Sequence, residues 1–279
     1  MAELKMRFPG GLAKSFTMSY DDGVEQDKKL VSIMKKYGLK GTFNLNSGIY
    51  AKKGTVYAPG TIHRRMDEEE VTKLYKEDGF EVASHAFTHP FLERIPTYQV
   101  ATEILKDREK LESQFDTIVR GFAYPFGTFS DEVVNILKEC GIAYARTVHS
   151  TRLFKMPQNW LLLDPTCHHD DEKLFELADK FINAKDDYGY PMMFYLWGHA
   201  YEFEANNNWD RIEKFAEVIS GKEDVWYATN IEICEYTEDF KRLRTNVSFT
   251  KVYNPTARTI WFTYRDKPYK IEPGEEMSI

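Results

Sequence analysis

Three short stretches repeat one local grammar and limit the fold more than composition does: Lys35-Lys36-Tyr37-Gly38-Leu39, Lys76-Glu77-Asp78-Gly79-Phe80 and Lys138-Glu139-Cys140-Gly141-Ile142. Each reads as a helix end, a glycine cap and an apolar strand start. The residues ahead of each glycine have helical period, because Leu30, Ile33 and Tyr37 share one face, as do Val71, Leu74 and Tyr75, and Val133, Leu137 and Cys140. Helix starts are marked as well. Asp67 followed by Glu70 has the capping-box pattern, and Ser130 is an N-cap ahead of Asp131 and Glu132, whose charges suit a helix N-terminus. The alternation continues through residues 97–115, 119–123, 142–146, 172–184, 191–197, 208–220 and 225–228. About seven strand–helix units of this kind predict a parallel sheet rolled into a closed or nearly closed barrel. A chain of 279 residues, 42% apolar, is large enough to fill one.

The pattern changes after about residue 240. Val247-Ser248-Phe249, Thr259-Ile260-Trp261-Phe262-Thr263-Tyr264 and Tyr269-Lys270-Ile271 are β-rich, and turns at Asn254-Pro255, Asp266-Lys267-Pro268 and Pro273-Gly274 separate them. The expected organisation is a barrel domain over residues 1–240 and a small β-rich C-terminal appendage over 241–279. Trp261 or Tyr264 could stack on a sugar there, although alternate residues of a small sheet more often pack.

Charge and cysteines exclude several partners. Forty-four acidic residues against 37 basic ones give a net charge of −7 with no basic cluster, so nucleic acid is not an expected partner. Cys140, Cys167 and Cys234 are odd in number and widely spaced, which argues against a disulfide framework and a Cys-x-x-Cys metal clip. No run approaches the ~20 apolar residues that span a bilayer, and the N-terminus has no signal-peptide core, so the expectation is a cytoplasmic protein without membrane association.

Strand ends are where α/β folds carry their chemistry. Residues 16–20 read as a strand that ends in Asp21-Asp22-Gly23, and residues 79–84 as one that ends at His85. His85 and His89 stand four positions apart, a spacing that on a helical turn aims both rings at one ion. Asp-Asp-Gly is also a good turn. Neighbouring carboxylates project differently, however, so one can ligate a metal while the other accepts a proton. Phe122-Ala123-Tyr124-Pro125-Phe126-Gly127 ends another strand in a loop whose backbone amides can face an oxyanion, or which is a plain Pro-Phe-Gly turn. The apolar run from Pro191 presents His199 at its end, where an imidazole can protonate a leaving group. In Cys167-His168-His169-Asp170 the two rings should diverge, so at most one joins a metal, and a loop at the rim or a helix cap is the expected setting. His63 and His149 read as surface residues.

Ser19-Tyr20-Asp21-Asp22-Gly23, His85-Ala86-Phe87-Thr88-His89, Tyr124-Pro125-Phe126-Gly127 and the strand ending in His199 occur in the order and at the strand ends seen in polysaccharide deacetylases. Over roughly residues 14–235 the chain resembles that family, the NodB-homology group of carbohydrate esterase family 4. The resemblance implies a distorted (β/α)7 barrel and metal-dependent hydrolysis of N-acetyl groups on a glycan. It implies that Asp21 is the base, that Asp22, His85 and His89 hold the metal, and that His199 is the general acid. Tyr124 and Phe126 would belong to the substrate groove, with the Phe126 amide on the oxyanion. The implied cofactor is one divalent metal, zinc by ligand type, with cobalt, iron, nickel or manganese also compatible.

Two departures are visible. The family usually has an arginine shortly before the Pro-aromatic-Gly turn, where this chain has Ala123, and Arg146 is expected to pair with Asp21 instead. The family's fourth motif, an aspartate with a tryptophan, matches Gln158-Asn159-Trp160 without its acid, so that Trp160 either walls an acetyl pocket or belongs to the core. The expected partner is an N-acetylated glycan or a small acylated compound. A hydrolase of another small amide or ester on the same barrel, or an inactive glycan-binding relative, are the alternatives. A metal phosphohydrolase would want a phosphate-cradling glycine loop, and there is none.

Overall fold

The computed structural model describes residues 3–76, 79–186 and 189–279; Glu77 and Asp78, in the second helix-to-strand connection, lie outside the described residues. In chain order the elements are β1 (Lys5–Arg7), β2 (Lys14–Asp21), α1 (Asp27–Lys36), β3 (Gly41–Leu45), α2 (Glu68–Tyr75), β4 (Phe80–Ser84), α3 (Thr97–Phe115), β5 (Gly121–Ala123), α4 (Asp131–Glu139), β6 (Tyr144–Arg146) and β7 (Cys167–His168). They continue with α5 (Leu174–Ile182), β8 (Met192–Gly198), α6 (Ala200–Ala205), α7 (Trp209–Ile219), β9 (Val225–Tyr227), α8 (Asn230–Lys241), β10 (Arg244–Thr245), β11 (Lys251–Tyr253), β12 (Ile260–Tyr264), β13 (Lys267–Ile271) and β14 (Glu276–Ser278). Gly38 and Gly141 directly follow the C-caps of α1 and α4 with positive φ, as expected of glycine caps; Gly79, three residues past the C-cap of α2, also has positive φ, which a residue without Cβ adopts at no steric cost. Asp67 and Glu70 complete a capping box at α2, and Ser130 accepts from Val133 N at the start of α4.

The central sheet runs β6-β5-β4-β3-β2-β8-β7, all parallel, with β9 added against the first residues of β2. It curls, because the segment leading into β7 bridges β6 through Leu163 and Arg146, while β7 itself pairs with β8. The result is the distorted (β/α)7 barrel of the sequence reading. Side chains alternate along each strand. Phe16, Met18 and Tyr20 of β2, Phe43 and Leu45 of β3, and Phe194 and Leu196 of β8 pack outward with helix residues such as Leu30 and Phe215 in one apolar cluster. The residues between them face inward, and they are polar. Thr17 Oγ1 donates to Asn230, Asn230 Nδ2 donates to the Tyr195 hydroxyl, and Ser19 Oγ and that hydroxyl are 2.8 Å apart. Glu81 accepts from Thr42 and Tyr144. An interior lined this way leads hydrogen-bonded groups up to the strand ends.

The C-terminal β structure forms two three-stranded sheets, and one of them includes the N-terminal strand: β1 pairs antiparallel with β12, Met6 opposite Phe262. Its apolar side is continuous with the barrel, since Met6, Val252, Ile260 and Phe262 share a cluster with Tyr144, Tyr195 and Ile233. Among the described residues, no helix is long and apolar enough to cross a membrane.

Candidate active site

Asp21 closes β2 with its side chain in the barrel, 1% exposed. Arg146 Nη2 donates to its Oδ2 at 2.7 Å and Asn44 Nδ2 to its Oδ1 at 2.7 Å. Arg146 is the register partner of Ala123 on the neighbouring strand, so its guanidinium comes from the next strand at the level where the family's arginine would stand. The arginine lies face-on to Trp197, Cζ 4.4 Å from the ring centroid. Burial pushes the Asp21 carboxyl up, but Arg146, then His85 and His199, outweigh it and hold the group below the ordinary carboxylate range.

Asp22 takes a left-handed conformation, φ 81°, which turns its side chain away from that of Asp21. Its Oδ1 accepts from Arg65 Nη2 at 2.9 Å, and His63 Nε2 lies 3.1 Å from Oδ2. His85 and His89 do not share a helical turn as their spacing suggested. They sit on the loop after β4, where Ala86 and His89 have φ of 61° and 59°, and that loop brings the two Nε2 atoms within 3.2 Å. His85 Nδ1 is 2.8 Å from the Ala123 carbonyl and must donate to it, which leaves the Nε2 lone pair facing inward. Burial pushes His85 down to about 4 and also lowers His89, so both rings are neutral, as ligands must be. One donor atom each from Asp22, His85 and His89 lies within 4.8 Å of the others. Two neutral imidazoles and a carboxylate in that arrangement fit a zinc-type ion with open positions. The site holds four non-glycine residues at positive φ, Asp22, Ala86, His89 and Phe126.

His199 follows β8 and caps α6, with Nε2 3.7 Å from Asp21 Oδ2. Burial lowers its basicity, but Glu202 and then Asp21 outweigh this and raise it above the ordinary histidine value. Phe126, half exposed, stacks on Phe91 at 3.7 Å and lies edge-on to His89 at 4.4 Å, forming one wall. Tyr201, tilted over His199 at 5.2 Å and edge-on to His63 at 5.0 Å, forms the other.

Two residues expected at the site are not brought to it. Tyr124 is fully buried and its hydroxyl donates to Leu161 O, because the Pro-Phe-Gly turn sends its ring into the core and presents Phe126 instead. Trp160 packs with Tyr144 and Leu163 and lines a cleft with Cys234 and Arg242, so it is a core residue. His149 is exposed, as expected. His63 is not a mere surface residue, since it touches Asp22. The His168-His169 pair also departs from expectation: His168 is in β7, His169 is 0% exposed, and the rings converge, with both Nε2 atoms about Glu202 Oε2 at 3.1 and 3.3 Å. Glu202, Trp197, Arg65 and Phe91 were not singled out in the sequence. Trp197 could have been, because strand alternation puts it on the same face as His199.

The fold and the cluster define a curled α/β barrel with an open centre of two histidines and one carboxylate at its strand ends. Residues 10–145, just under half of the chain, match the polysaccharide deacetylase family model. Among curated proteins it is similar to the uncharacterized protein YlxY of Bacillus subtilis, 24% identical over 125 residues; the match covers 45% of this chain and spans 34% of that relative's length. Among solved structures, a protein from Mycobacterium smegmatis described as a candidate polysaccharide deacetylase shares the fold at TM-score 0.58 and 15% identity, over 86% of this chain and 96% of that one. The Xyl-CE4 domain of a multidomain xylanase from the hindgut metagenome of Trinervitermes trinervoides does so at TM-score 0.52 and 13% identity, over 81% and 92%.

Proposed function

We propose that the protein is a metal-dependent hydrolase that removes N-acetyl groups from an amino-sugar glycan or oligosaccharide. The observation that carries this reading is the buried carboxylate of Asp21, kept charged by Arg146 beside the Asp22–His85–His89 cluster and facing His199. Those three residues would hold one divalent ion, zinc by donor type, which supplies Lewis-acid polarisation of the amide carbonyl and a more acidic water.

The chain's own groups do the rest. Asp21 accepts a proton as water attacks the carbonyl carbon; Arg146 and Asn44 each hold one of its oxygens, so the carboxylate stays oriented. The new C–O bond turns the carbonyl into a tetrahedral oxyanion, and the amide C–N bond breaks when that oxyanion collapses. His199 delivers a proton from Nε2 to the departing nitrogen, and its raised basicity keeps that proton available near neutrality. The Phe126 turn, whose ring lies beside His89, would give a backbone amide to the oxyanion, and Phe126 with Phe91 would offer a flat face to a sugar ring. The products are acetate and a free amino sugar.

The test is release of acetate from N-acetylated chitooligosaccharides by the metal-reconstituted protein, against the chelator-treated protein. Loss with chelator and recovery with zinc is the expected result. Turnover only of small acyl esters or amides would narrow the reading to the same chemistry on another substrate, and absence of any metal-dependent turnover would overturn it.

A further inference from the structure

Glu202 is the third residue of the short helix that His199 caps, and its Oε2 accepts from His199 N at 3.1 Å. A capping box needs nothing more. Yet the same oxygen is 3.4 Å from His199 Nδ1 and 3.1 Å from His168 Nε2. Nδ1 of His199 is buried and has no hydrogen-bond partner of standard geometry, and Glu202 is the acidic group placed next to it among the described residues. A distance at the long end of hydrogen-bond reach is usual for a catalytic contact before substrate closes on it.

The proton positions follow from chemistry. Asp170 N–H donates to His168 Nδ1 at 3.2 Å, so neutral His168 carries its proton on Nε2 and donates it to Glu202. His168, His169 and Glu202 also have the composition of a metal site. The lone pair that such a site needs from His168 Nε2 is already taken up by that proton. Glu202 itself is held far on the anionic side: burial opposes this, and the His168 and His199 rings that face it outweigh it. A carboxylate so fixed attracts a proton to the nitrogen facing it.

We infer that Glu202, anchored by His168, is a positioning residue that keeps a proton on Nδ1 of His199 and thereby presents Nε2 to Asp21 and the reacting bond. This rests on the reading of His199 as the general acid. The chain from His168 reaches the base as well, since His168 lies edge-on to Trp197 at 4.7 Å and Trp197 in turn supports Arg146. One indole thus separates the group that holds the acid from the group that holds the base.

The experiment compares Glu202→Gln, His168→Leu and His168→Gln in the zinc-loaded protein on two substrates. An N-acetylated chitooligosaccharide expels an amine that must be protonated, whereas 4-nitrophenyl acetate expels a phenolate that needs no acid. Glu202→Gln should lower kcat on the amide about 100-fold with KM and zinc content unchanged, while the ester loses less than about threefold. His168→Leu should show the same split at about tenfold, and His168→Gln, whose side-chain amide can still donate to Glu202, should recover most of it. Nitrogen-15 NMR of the histidines should find His199 protonated on Nδ1 in the wild type and a mixture of tautomers in Glu202→Gln. Equal losses on both substrates, an unchanged tautomer, or release of a second zinc equivalent by Glu202→Gln would each overturn the inference. If the wild type turns over neither substrate, the deacetylase reading fails on its own, and the tautomer measurement still decides the role of Glu202.

Discussion

Asp21, at the mouth of the barrel, and Asp27, at the start of α1, are the same residue type with nearly the same burial, 1% and 0% exposed, and their acidities move in opposite directions. Asp27 Oδ2 accepts from Val24 N at 3.0 Å and from the Tyr75 hydroxyl at 2.6 Å, and Oδ1 has no partner. Burial pushes it up to about 7, because two neutral donors do not repay the desolvation of a charge. Asp21 is desolvated as thoroughly, but a guanidinium touches it, and it stays anionic. Burial alone therefore does not mark a base. The opposite charge that accompanies it does, and in this chain that charge comes from Arg146 on a different strand.

The most severe way to break the comparison is to remove the charge of Asp21 and keep its shape. Asp21→Asn should lose about 1,000-fold in kcat or more while zinc content stays at the wild-type level, and a variant with wild-type turnover would remove Asp21 from the base role. Next comes Arg146→Met. Breaking a buried pair by deleting one partner costs about 3–5 kcal/mol, which a denaturant titration reads directly. In activity, the acid limb of the kcat/KM–pH profile should move to higher pH, because the group that holds the Asp21 carboxyl down has gone; an unmoved limb would mean that another group sets it.

Asp27→Asn tests the other side. Its carboxyl binds a proton more tightly in the folded protein than in the unfolded one, so stability is fully present below the ordinary aspartate range and declines as pH rises towards about 7. The Asn variant should remove a slope worth on the order of 2–4 kcal/mol between pH 4 and about 8, visible in melting temperatures across that range. The smallest effect belongs to His63→Ala. His63 is partly exposed and holds one oxygen of Asp22, so zinc affinity should weaken about tenfold, measured by competition with a chromophoric chelator, with little change in stability.

The barrel was legible because its signals are local and periodic. Helix α3 has the limits that its apolar spacing suggests, and the glycine and Ser130 caps need only a few neighbouring residues to be recognised. The pairing of Arg146 with Asp21 could be anticipated because a strand end implies an inward side chain. Other features depend on contacts that spacing does not encode. His63 lies on the segment between β3 and α2, which folds back over Asp22. Glu202 looks like half of a capping box, and only the approach of β7 brings His168 to the same oxygen. Tyr124 and Trp160 were placed at the groove by motif position, but left-handed Phe126 redirects the first and the cluster around Tyr144 absorbs the second.

The pairing of β1 with β12 has a consequence for how the molecule is made. Lys5 finds its partner at Thr263, so β1 leaves the ribosome long before the strand that it pairs with. Contacts of such sequence separation form late and slowly, and an edge left open meanwhile invites association with other nascent chains. The β1–β12 seam is thus the point at which the ribosome's schedule and the native topology are most at odds.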